Sequence, residues 1–278
     1  MINLPNVFTA ANMISGIIAI LLTFAGRIDL APFAIITGAL FDFADGFLAR
    51  KLGVAGPLGK QLDSLADMVT FGVAPGMMML VIMSMDTVGI EQFVQGRNDF
   101  IAGKASQEFH PELIYYGFFG YINDLLSGEV NWMVPFFALS IPFFSIFRLA
   151  KFNVDLRQTD MFIGVPTPAN TLFFMTFPLV LTYGDVSDIE FIKMIFDPIV
   201  LAVLCVVMSV LLIVEIPLFA LKFTHFGWKG NEIRYFFLLI SAGLILLFKA
   251  WSIALIVFLY LILSMIDNLF NKKKTNEV

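Results

Sequence analysis

FDFADGFLARKLGVAGPLGKQLDSLAD, residues 41–67, carries four aspartates, one arginine and two lysines between long apolar runs. The rest of the chain makes this concentration of charge unusual, because 59% of its 278 residues are hydrophobic and only 14% are charged. Soluble domains are about 45–50% apolar and about 25% charged. The composition therefore predicts a protein of the lipid bilayer, and the charged segment is the first place to look for its chemistry.

Apolar runs that approach the length of a membrane span recur along the whole chain. A spanning helix needs about 20 mostly apolar residues. The candidate runs are 7–25, 31–50, 60–84, 132–152, 167–183, 198–221, 234–248 and 250–268. They predict an all-α integral membrane protein, a polytopic bundle of about eight transmembrane helices. Residues 1–270 are expected to form one transmembrane domain with an extracytoplasmic loop at 86–130, followed by a short cytoplasmic tail at 271–278.

The positions of lysine and arginine predict the orientation of this bundle. With a cytoplasmic N-terminus, Lys51 and Lys60 of the charged segment face the cytoplasm, as do the three lysines at 272–274. The loop at 86–130 then lies outside, and its mixture of aromatic and charged side chains indicates either a helix on the membrane surface or, equally, a covered loop with no membrane contact. Both termini and the charged segment are thus expected on the cytoplasmic side of the cytoplasmic membrane.

The composition disfavours several kinds of site and partner. The lone Cys205 excludes an internal disulfide and argues against a cysteine–metal cluster, and two histidines give histidine chemistry little to work with. A formal net charge of −5 argues against nucleic acid as a partner. Carboxylates are therefore the leading candidates for catalysis or metal binding.

The four aspartates of the charged segment fall on two helical faces, because residues three or four apart share one side of a helix. The second predicted span carries on one face Asp42, Asp45, Gly46 and Ala49, with Arg50 beside them. After a Gly/Pro turn that reverses the chain, the next helix aligns Gly59, Asp63 and Asp67. Two adjacent antiparallel helices could therefore direct four carboxylates toward one place.

Four carboxylates in one place repel one another unless cations lie among them. An all-oxygen ligand set suits Mg²⁺, Mn²⁺ or Ca²⁺, and two such ions about 3.5–4 Å apart stabilise phosphoryl transfer. Gly46, Ala49 and Gly59 would let a nucleotide approach the backbone, and Arg50 can make a bidentate contact with a phosphate. Ordinary charges at the ends of two spans would explain a single aspartate, but they explain four on coincident faces less well.

The spacing Asp42-x2-Asp45-Gly46-x2-Ala49-Arg50-x8-Gly59-x3-Asp63-x3-Asp67 resembles, at every fixed position, the signature of the CDP-alcohol phosphotransferase family. Further segments resemble the integral-membrane phosphatidylserine synthases within that family: LPNVFTAANMISG (4–16), FGVAPG (71–76), FRLAKFNV (147–154) and FIGVPTPAN (162–170). Lys151 and Val165 stand where arginine and leucine are usual. The resemblance covers most of residues 1–175, and the loop at 86–130 is an addition to it.

The resemblance implies a membrane-embedded homodimer that transfers a phosphatidyl group from CDP-diacylglycerol to L-serine and releases CMP, with two divalent cations, Mg²⁺ or Mn²⁺, as cofactors. The implied metal ligands are Asp42, Asp45, Asp63 and Asp67. Asp67 is also the expected general base for the serine hydroxyl. The implied nucleotide and phosphate contacts are Gly46, Ala49, Arg50, Gly59, Asn6 and Thr9, with Asn12 on the same helix as the last two. The alternative for Asn6, Thr9 and Asn12 is helix capping and hydrogen bonding between helices.

A serine substrate also needs a partner for its carboxylate. Arg148, near the end of the fourth span, is the candidate for this acceptor contact, and Lys151 lies one turn further along. The alternative for Arg148 is a helix-end charge that extends toward the interface.

Two other functions remain open at this point. The same chemistry could use glycerol-3-phosphate or inositol phosphate as acceptor, for which a denser cluster of basic residues is expected; Arg148, Lys151 and Arg157 leave some room for that. A cation transporter with an acidic site is the alternative outside enzymology. It is disfavoured because the acids crowd at one surface on two helices.

Overall fold

A computed structural model of the chain describes residues 3–85, 87–103, 113–130, 132–154, 162–184, 189–219, 227–228 and 231–275. The α-helices are α1 (Leu4–Phe24), α2 (Ala31–Lys51), α3 (Pro57–Asp67), α4 (Ala74–Met83), α5 (Thr87–Ile101), α6 (Leu113–Ser127), α7 (Ser140–Val154), α8 (Thr167–Tyr183), α9 (Ile189–Ile195), α10 (Pro198–Ile213), α11 (Glu232–Phe248) and α12 (Ser252–Thr275). One antiparallel pair joins β1 (Phe162–Ile163) to β2 (Pro217–Leu218). The predicted all-α polytopic architecture is confirmed, with these two short strands as its only sheet among the described residues.

Five helical stretches are long and apolar enough to cross a membrane: Leu4–Phe24, Ala31–Lys51, Pro57–Met83, Val134–Val154 and Glu232–Asn268. The pair α9–α10, bent by 50°, makes a sixth if it counts as one span. The prediction of eight differs from this number because it counts α8, which has 17 residues, and divides the stretch 232–268 in two.

The long stretch 232–268 turns back on itself. The rings of Phe237 and Tyr260 lie 5.9 Å apart, whereas a straight helix would separate these positions by about 35 Å. The reversal occurs at Lys249, whose φ of 47° ends α11 before a short 3₁₀ turn leads into α12. The two helices therefore form a hairpin.

A π-helical segment interrupts the third span directly after the charged stretch. It covers Met68–Val73, between α3 and α4, and such bulges are frequent at functional sites. Two glycines allow α1 and α2 to approach it: a Cβ added at Gly16 would lie 2.7 Å from the Thr70 Cα, and one added at Gly38 would lie 2.7 Å from its methyl group. Thr70 also donates a hydrogen bond to the Asn12 carbonyl over 2.9 Å. These contacts fix three helices around the end of α3.

The segment 86–130 contains two helices, α5 and α6, where one helix on the membrane surface or a covered loop is predicted. Helix α6 buries Ile114, Phe118 and Tyr121 rather than lying free on a surface. Helix α5 is tied to α8 by Arg97, which is 3% exposed and donates to the Leu181 carbonyl over 2.7 Å. The insertion is therefore packed against the helical core.

The C-terminal helices are joined to the middle of the chain by the strand pair. Helix α12 continues to Thr275, so the helix includes most of the residues predicted as a tail at 271–278. Beside β1, Gly164 donates its backbone N–H to the Ile216 carbonyl over 2.9 Å, and Val165 donates to the Leu211 carbonyl over 3.1 Å.

Candidate active site

The charged stretch folds as the sequence predicts, into two helices that meet at a tight turn. Helix α2 ends at Lys51, and Gly53 takes a left-handed conformation with φ of 65° that few other residues tolerate. Pro57 then begins α3, where its missing N–H leaves no helical hydrogen bond unmade. Helix α1 packs along both α2 and α3. The result is a three-helix corner that holds every predicted metal and nucleotide residue.

Three of the four aspartates converge at this corner. Carboxylate oxygens of Asp42, Asp63 and Asp67 all lie within 4.8 Å of one another, and the three side chains are half-buried. At such separations in a medium less polar than water, like charges repel by several kcal/mol. The arrangement therefore calls for positive charge between the carboxylates.

The cluster is compatible with an oxygen-liganded divalent cation. Mg²⁺ and Ca²⁺ bind oxygen at about 2.0–2.6 Å, so two ligands of one ion lie no more than about 4–5 Å apart. The oxygens of Asp42, Asp63 and Asp67 meet that limit. The residues present thus fit one divalent ion of the kind that the sequence predicts, held between α2 and α3.

Residues of α1 hold two of the four aspartates. Asp45, which is 5% exposed, accepts a hydrogen bond from the Thr9 hydroxyl. Asp67 accepts one from the Asn12 side-chain amide over 3.1 Å. Asn12 itself is fully buried, so it holds Asp67 from the interior of the bundle. Thr9 and Asn12, placed near the nucleotide by the sequence analysis, therefore also contact two of the aspartates.

A cavity of about 240 Å³ brings together the residues predicted to contact the nucleotide. Its walls include Asn6, Thr9, Gly46, Ala49, Arg50 and Gly59. A Cβ added at Gly59 would lie 3.8 Å from the Asn6 side-chain oxygen, so the glycine leaves this wall open. We call this space the nucleotide cavity.

A second cavity of about 450 Å³ lies on the other side of the aspartates. Asp42 and Asp67 line it, together with Arg148, which is 3% exposed. Both cavities are lined by Asp45, Gly46, Arg50 and Asp63. We call the larger space the acceptor cavity, and the shared residues form the wall where the two meet.

The two predicted acceptor residues lie in different places. Arg148 lines the acceptor cavity, donates from Nε to the Val165 carbonyl over 3.1 Å and lies 5.6 Å from the centre of the Phe152 ring. Lys151 lines neither cavity, and its ammonium contacts the Glu215 carboxylate over 2.6 Å. The structure thus brings Arg148, and not Lys151, to the aspartates. Arg157 lies outside the described residues.

The sequence analysis gave Lys60 and Phe152 no part in the site, although they join the two cavities. Lys60 lines the nucleotide cavity, and its ammonium donates to the Asn153 carbonyl over 2.8 Å. The Asn153 side chain in turn donates to the Ser64 hydroxyl over 2.8 Å. Phe152 lines the acceptor cavity and has Lys60 5.9 Å from its ring centre, with Arg148 also on the ring. The FRLAKFNV motif, residues 147–154, contains Phe152 and was the available sequence signal for it.

Comparison with known proteins agrees with this geometry. The profile of the family described as CDP-alcohol phosphatidyltransferase matches residues 2–94, which include α1, α2, α3 and every converging aspartate. Residues 2–94 of this chain are therefore similar to a CDP-alcohol phosphatidyltransferase domain. The resemblance predicted from the spacing of the aspartates is confirmed, and so is the enzyme class that it implies.

The similarity to curated proteins extends beyond residues 2–94. CDP-diacylglycerol–serine O-phosphatidyltransferase of Bacillus subtilis is 28% identical over 82% of this chain and 94% of its own length. Archaetidylserine synthase of Methanothermobacter thermautotrophicus is 29% identical over 67% of this chain and 62% of its own. A CDP-diacylglycerol–serine O-phosphatidyltransferase of Mycobacterium leprae is 34% identical over 61% and 44%, respectively. The last two matches span about half to two thirds of the relatives' own lengths.

Proposed function

We propose that the protein transfers a phosphatidyl group from CDP-diacylglycerol to the hydroxyl of L-serine, giving phosphatidylserine and CMP. The observation that carries this proposal is the meeting of two cavities at one wall of carboxylates, with Arg50 shared between them and Arg148 in the larger one. The names of the relatives, which specify serine, support the choice of acceptor.

The nucleotide cavity is assigned to the CMP part of the donor. Gly46 and Gly59 present backbone without side chains, and Asn6 and Thr9 supply polar atoms at the N-terminal end of α1. Arg50 borders both cavities, so its guanidinium can contact the diphosphate that lies between the leaving nucleotide and the lipid. The diacylglycerol part then extends into the bilayer.

Asp42, Asp63 and Asp67 would hold a divalent cation, with Asp45 next to them on α2. Such an ion, Mg²⁺ or Mn²⁺, would neutralise the diphosphate and polarise the phosphorus under attack. Asp67 is proposed as the base that takes the proton from the serine hydroxyl while the new P–O bond forms and the bond to CMP breaks. The hydrogen bond from Asn12 holds one Asp67 oxygen in place for this task.

Serine is favoured over a phosphorylated alcohol by the charges in the acceptor cavity. Among the described residues that line it, Arg50 and Arg148 are the basic ones, and Arg50 is assigned to the donor. One guanidinium suits one carboxylate, since it can make two parallel hydrogen bonds to it. Lys151 would be the next cation along α7, but it contacts Glu215 instead.

The carboxylate end of the bundle is proposed to face the cytoplasm. Lys51, Lys60 and Lys151 lie at this end, and the C-terminal helix ends in three further lysines at 272–274. Lysine and arginine are enriched on the cytoplasmic side of membrane proteins. The homodimer and the second metal ion remain predictions of the family resemblance.

An acceptor panel tests the proposal. Purified protein in detergent receives CDP-diacylglycerol with labelled phosphatidyl phosphorus, Mn²⁺ or Mg²⁺, and one acceptor at a time: L-serine, glycerol-3-phosphate, inositol phosphate or water. We expect labelled phosphatidylserine and an equal amount of CMP with serine alone. Arg148→Ala should raise the KM for serine by about tenfold or more, because it removes a charged hydrogen-bond partner, and should leave the KM for the donor unchanged.

Each outcome of the panel has a definite meaning. Product from glycerol-3-phosphate or inositol phosphate, and none from serine, would replace the acceptor but keep the chemistry. If folded, monodisperse protein releases no CMP with any acceptor, the transferase assignment is contradicted. The alternative of a cation transporter would then be favoured.

A further inference from the structure

We infer that the turn at Gly164 and Val165 is a positioning element for Arg148, through which the C-terminal helices determine acceptor affinity. This inference rests on the proposed function for its kinetic consequence, but its structural part stands independently. The turn lies outside residues 2–94, the part of the chain that matches the family profile.

Two contacts hold the Arg148 guanidinium in the acceptor cavity. Its Nε donates to the Val165 carbonyl, and the guanidinium lies over the Phe152 ring. Because Nε belongs to the planar guanidinium, the position of the Val165 carbonyl affects how the whole group is turned within the cavity. Arg148 is only 3% exposed, so displacement of the Val165 carbonyl would loosen a buried guanidinium and make it more accessible to a reagent that enters the cavity.

The position of the Val165 carbonyl depends on Gly164. Gly164 has φ of 79°, a left-handed conformation that turns the chain from β1 into α8. A Cβ there would lie 2.7 Å from the Leu212 carbonyl oxygen and 3.0 Å from that of Val214. Glycine is therefore required by the backbone conformation. It is also required because the last turn of α10 and the residue after it approach closely.

The other side of the turn is held by the C-terminal helices. Val165 is fully buried in a cluster with Leu212, Leu218 and Leu261, from α10, β2 and α12 respectively. The Tyr260 hydroxyl donates to the Phe219 carbonyl over 2.9 Å, which fastens the chain after β2 to α12. A continuous set of contacts thus runs from α12 through β2 and Val165 to Arg148.

This arrangement predicts an effect on the acceptor and not on the donor. Gly164, Val165 and their partners line neither the nucleotide cavity nor the shared wall with Arg50. Loosening the turn would misplace Arg148 while leaving the aspartates and the nucleotide cavity in position. The expected signature is a raised KM for the acceptor with little change in kcat.

The test compares Gly164→Ala with Gly128→Ala in the purified full chain. Gly128, after α6, is a matched control because its φ of 78° is equally left-handed, an added Cβ there meets nothing within 4 Å, and it lines neither cavity. We expect Gly164→Ala to raise the KM for serine by about tenfold or more, as loss of a well-aligned hydrogen bond to a charged group would. The KM for CDP-diacylglycerol should stay within about twofold, and Gly128→Ala should change neither constant.

A second variant and a second readout keep the test decisive if Gly164→Ala does not fold. Tyr260→Phe removes one hydrogen bond behind the turn and should raise the KM for serine in the same direction by a smaller factor. Phenylglyoxal labelling followed by peptide mass spectrometry measures the accessibility of Arg148 without any turnover. The variants of the turn should increase the rate of labelling at Arg148 and leave the rate at Arg50 unchanged.

The two readouts separate this inference from the proposed function. If the wild-type protein uses no acceptor, the proposed function fails, and the labelling rate at Arg148 alone decides the role of the turn. Labelling of Arg148 at the wild-type rate in both Gly164→Ala and Tyr260→Phe would overturn the inference. Equal rises in the KM values for serine and donor would overturn it as well.

Discussion

At the scale of single residues, the site depends on how each carboxylate is held. Asp67 combines two properties, since it belongs to the converging trio and accepts a hydrogen bond from the fully buried Asn12. Asp45 is outside the trio and is held by Thr9 instead. The aspartates therefore differ in their surroundings, although the sequence motif presents them as equivalent.

The assignment of Asp67 as base predicts the behaviour of Asp67→Asn. An asparagine of the same shape cannot accept the serine proton, so turnover should fall by about 10²–10⁴-fold. CDP-diacylglycerol should still bind, which equilibrium binding of a labelled donor would measure. Asp99→Asn, on α5, serves as the control for a carboxylate change elsewhere. Turnover of Asp67→Asn at the wild-type rate would remove Asp67 as base.

The contact between Thr9 and Asp45 gives a second prediction. Thr9→Val leaves the buried Asp45 carboxylate without this donor, which costs about 1–3 kcal/mol, and should lower kcat/KM for the donor by about tenfold. Thr9→Ser keeps the hydroxyl and should restore most of the activity. Equal activity in the valine and serine variants would show that the hydrogen bond has no part in donor binding.

Residue spacing was sufficient to predict that Asp42, Asp63 and Asp67 converge, but the predicted fourth member, Asp45, is not part of the trio. Asp42, Asp63 and Asp67 fall together because helical periodicity and one Gly/Pro turn determine their placement, and both are local properties. The pairing of Lys151 with Glu215 joins residues far apart in the chain, one on α7 and the other between α10 and β2, and no local pattern specifies how these parts pack. The same holds for Val165 and Arg148.

At the scale of helices, the π-helical segment Met68–Val73 is the element that fixes the corner. Thr70 in this segment contacts α1 near Gly16 and α2 near Gly38, and its hydroxyl bonds the carbonyl of Asn12. Because Asp67 immediately precedes the segment, its backbone is held by the same packing. Glycines within apolar spans are the sequence feature that permits such a close approach. The helix that these glycines meet could not be predicted from the sequence.

Overpacking at this contact should be costly. Gly16→Ala would bring a Cβ 2.7 Å from the Thr70 Cα, so α1 or the π-helical segment must shift. We expect a loss of about 1–3 kcal/mol in stability together with reduced turnover. Gly243→Ala, where an added Cβ meets nothing within 4 Å, should leave the thermal midpoint in detergent unchanged. A Gly16→Ala protein as stable and active as wild type would contradict the tight packing.

The segment 86–130 shows where helical prediction from composition fails. Its mixed aromatic and charged pattern indicated one surface helix or a covered loop, but tertiary contacts bury one side of α6 and the guanidinium of α5. Arg97 donates to the Leu181 carbonyl, in the last turn of α8, and to the Val180 carbonyl beside it. An arginine with these two contacts is a structural tie that periodicity does not reveal.

Removal of that tie should loosen the insertion without affecting the active site. Arg97→Gln should destabilise the fold by about 1–3 kcal/mol and speed hydrogen exchange in α5 and at the end of α8. The kinetic constants should be unchanged, because the tie is remote from both cavities. Glu91→Gln is the matched control, since its ion pair with Lys193 lies at the surface, with the two side chains 38% and 29% exposed, and contributes little. Exchange in Arg97→Gln that matches the control would refute the tie.

At the scale of the whole molecule, the N-terminal third carries the carboxylates and the remainder shapes what reaches them. The match to the family profile ends at residue 94, while Arg148, Phe152 and the turn at Gly164 lie beyond it. The hydropathy of the sequence was enough to predict a polytopic bundle. It did not establish how many helices cross, because the hairpin of α11 and α12 reverses at one residue, Lys249, inside a continuous apolar run.

The central claim is that carboxylates from two neighbouring helices hold a divalent cation on the donor diphosphate. The most direct measurement is serine-dependent CMP release by protein stripped with a chelator, before and after Mn²⁺ or Mg²⁺ is returned, for wild type and Asp63→Asn. We predict no release without metal, full recovery on its return in wild type, and little or no recovery in Asp63→Asn. Undiminished release from the metal-free wild-type protein would contradict the claim.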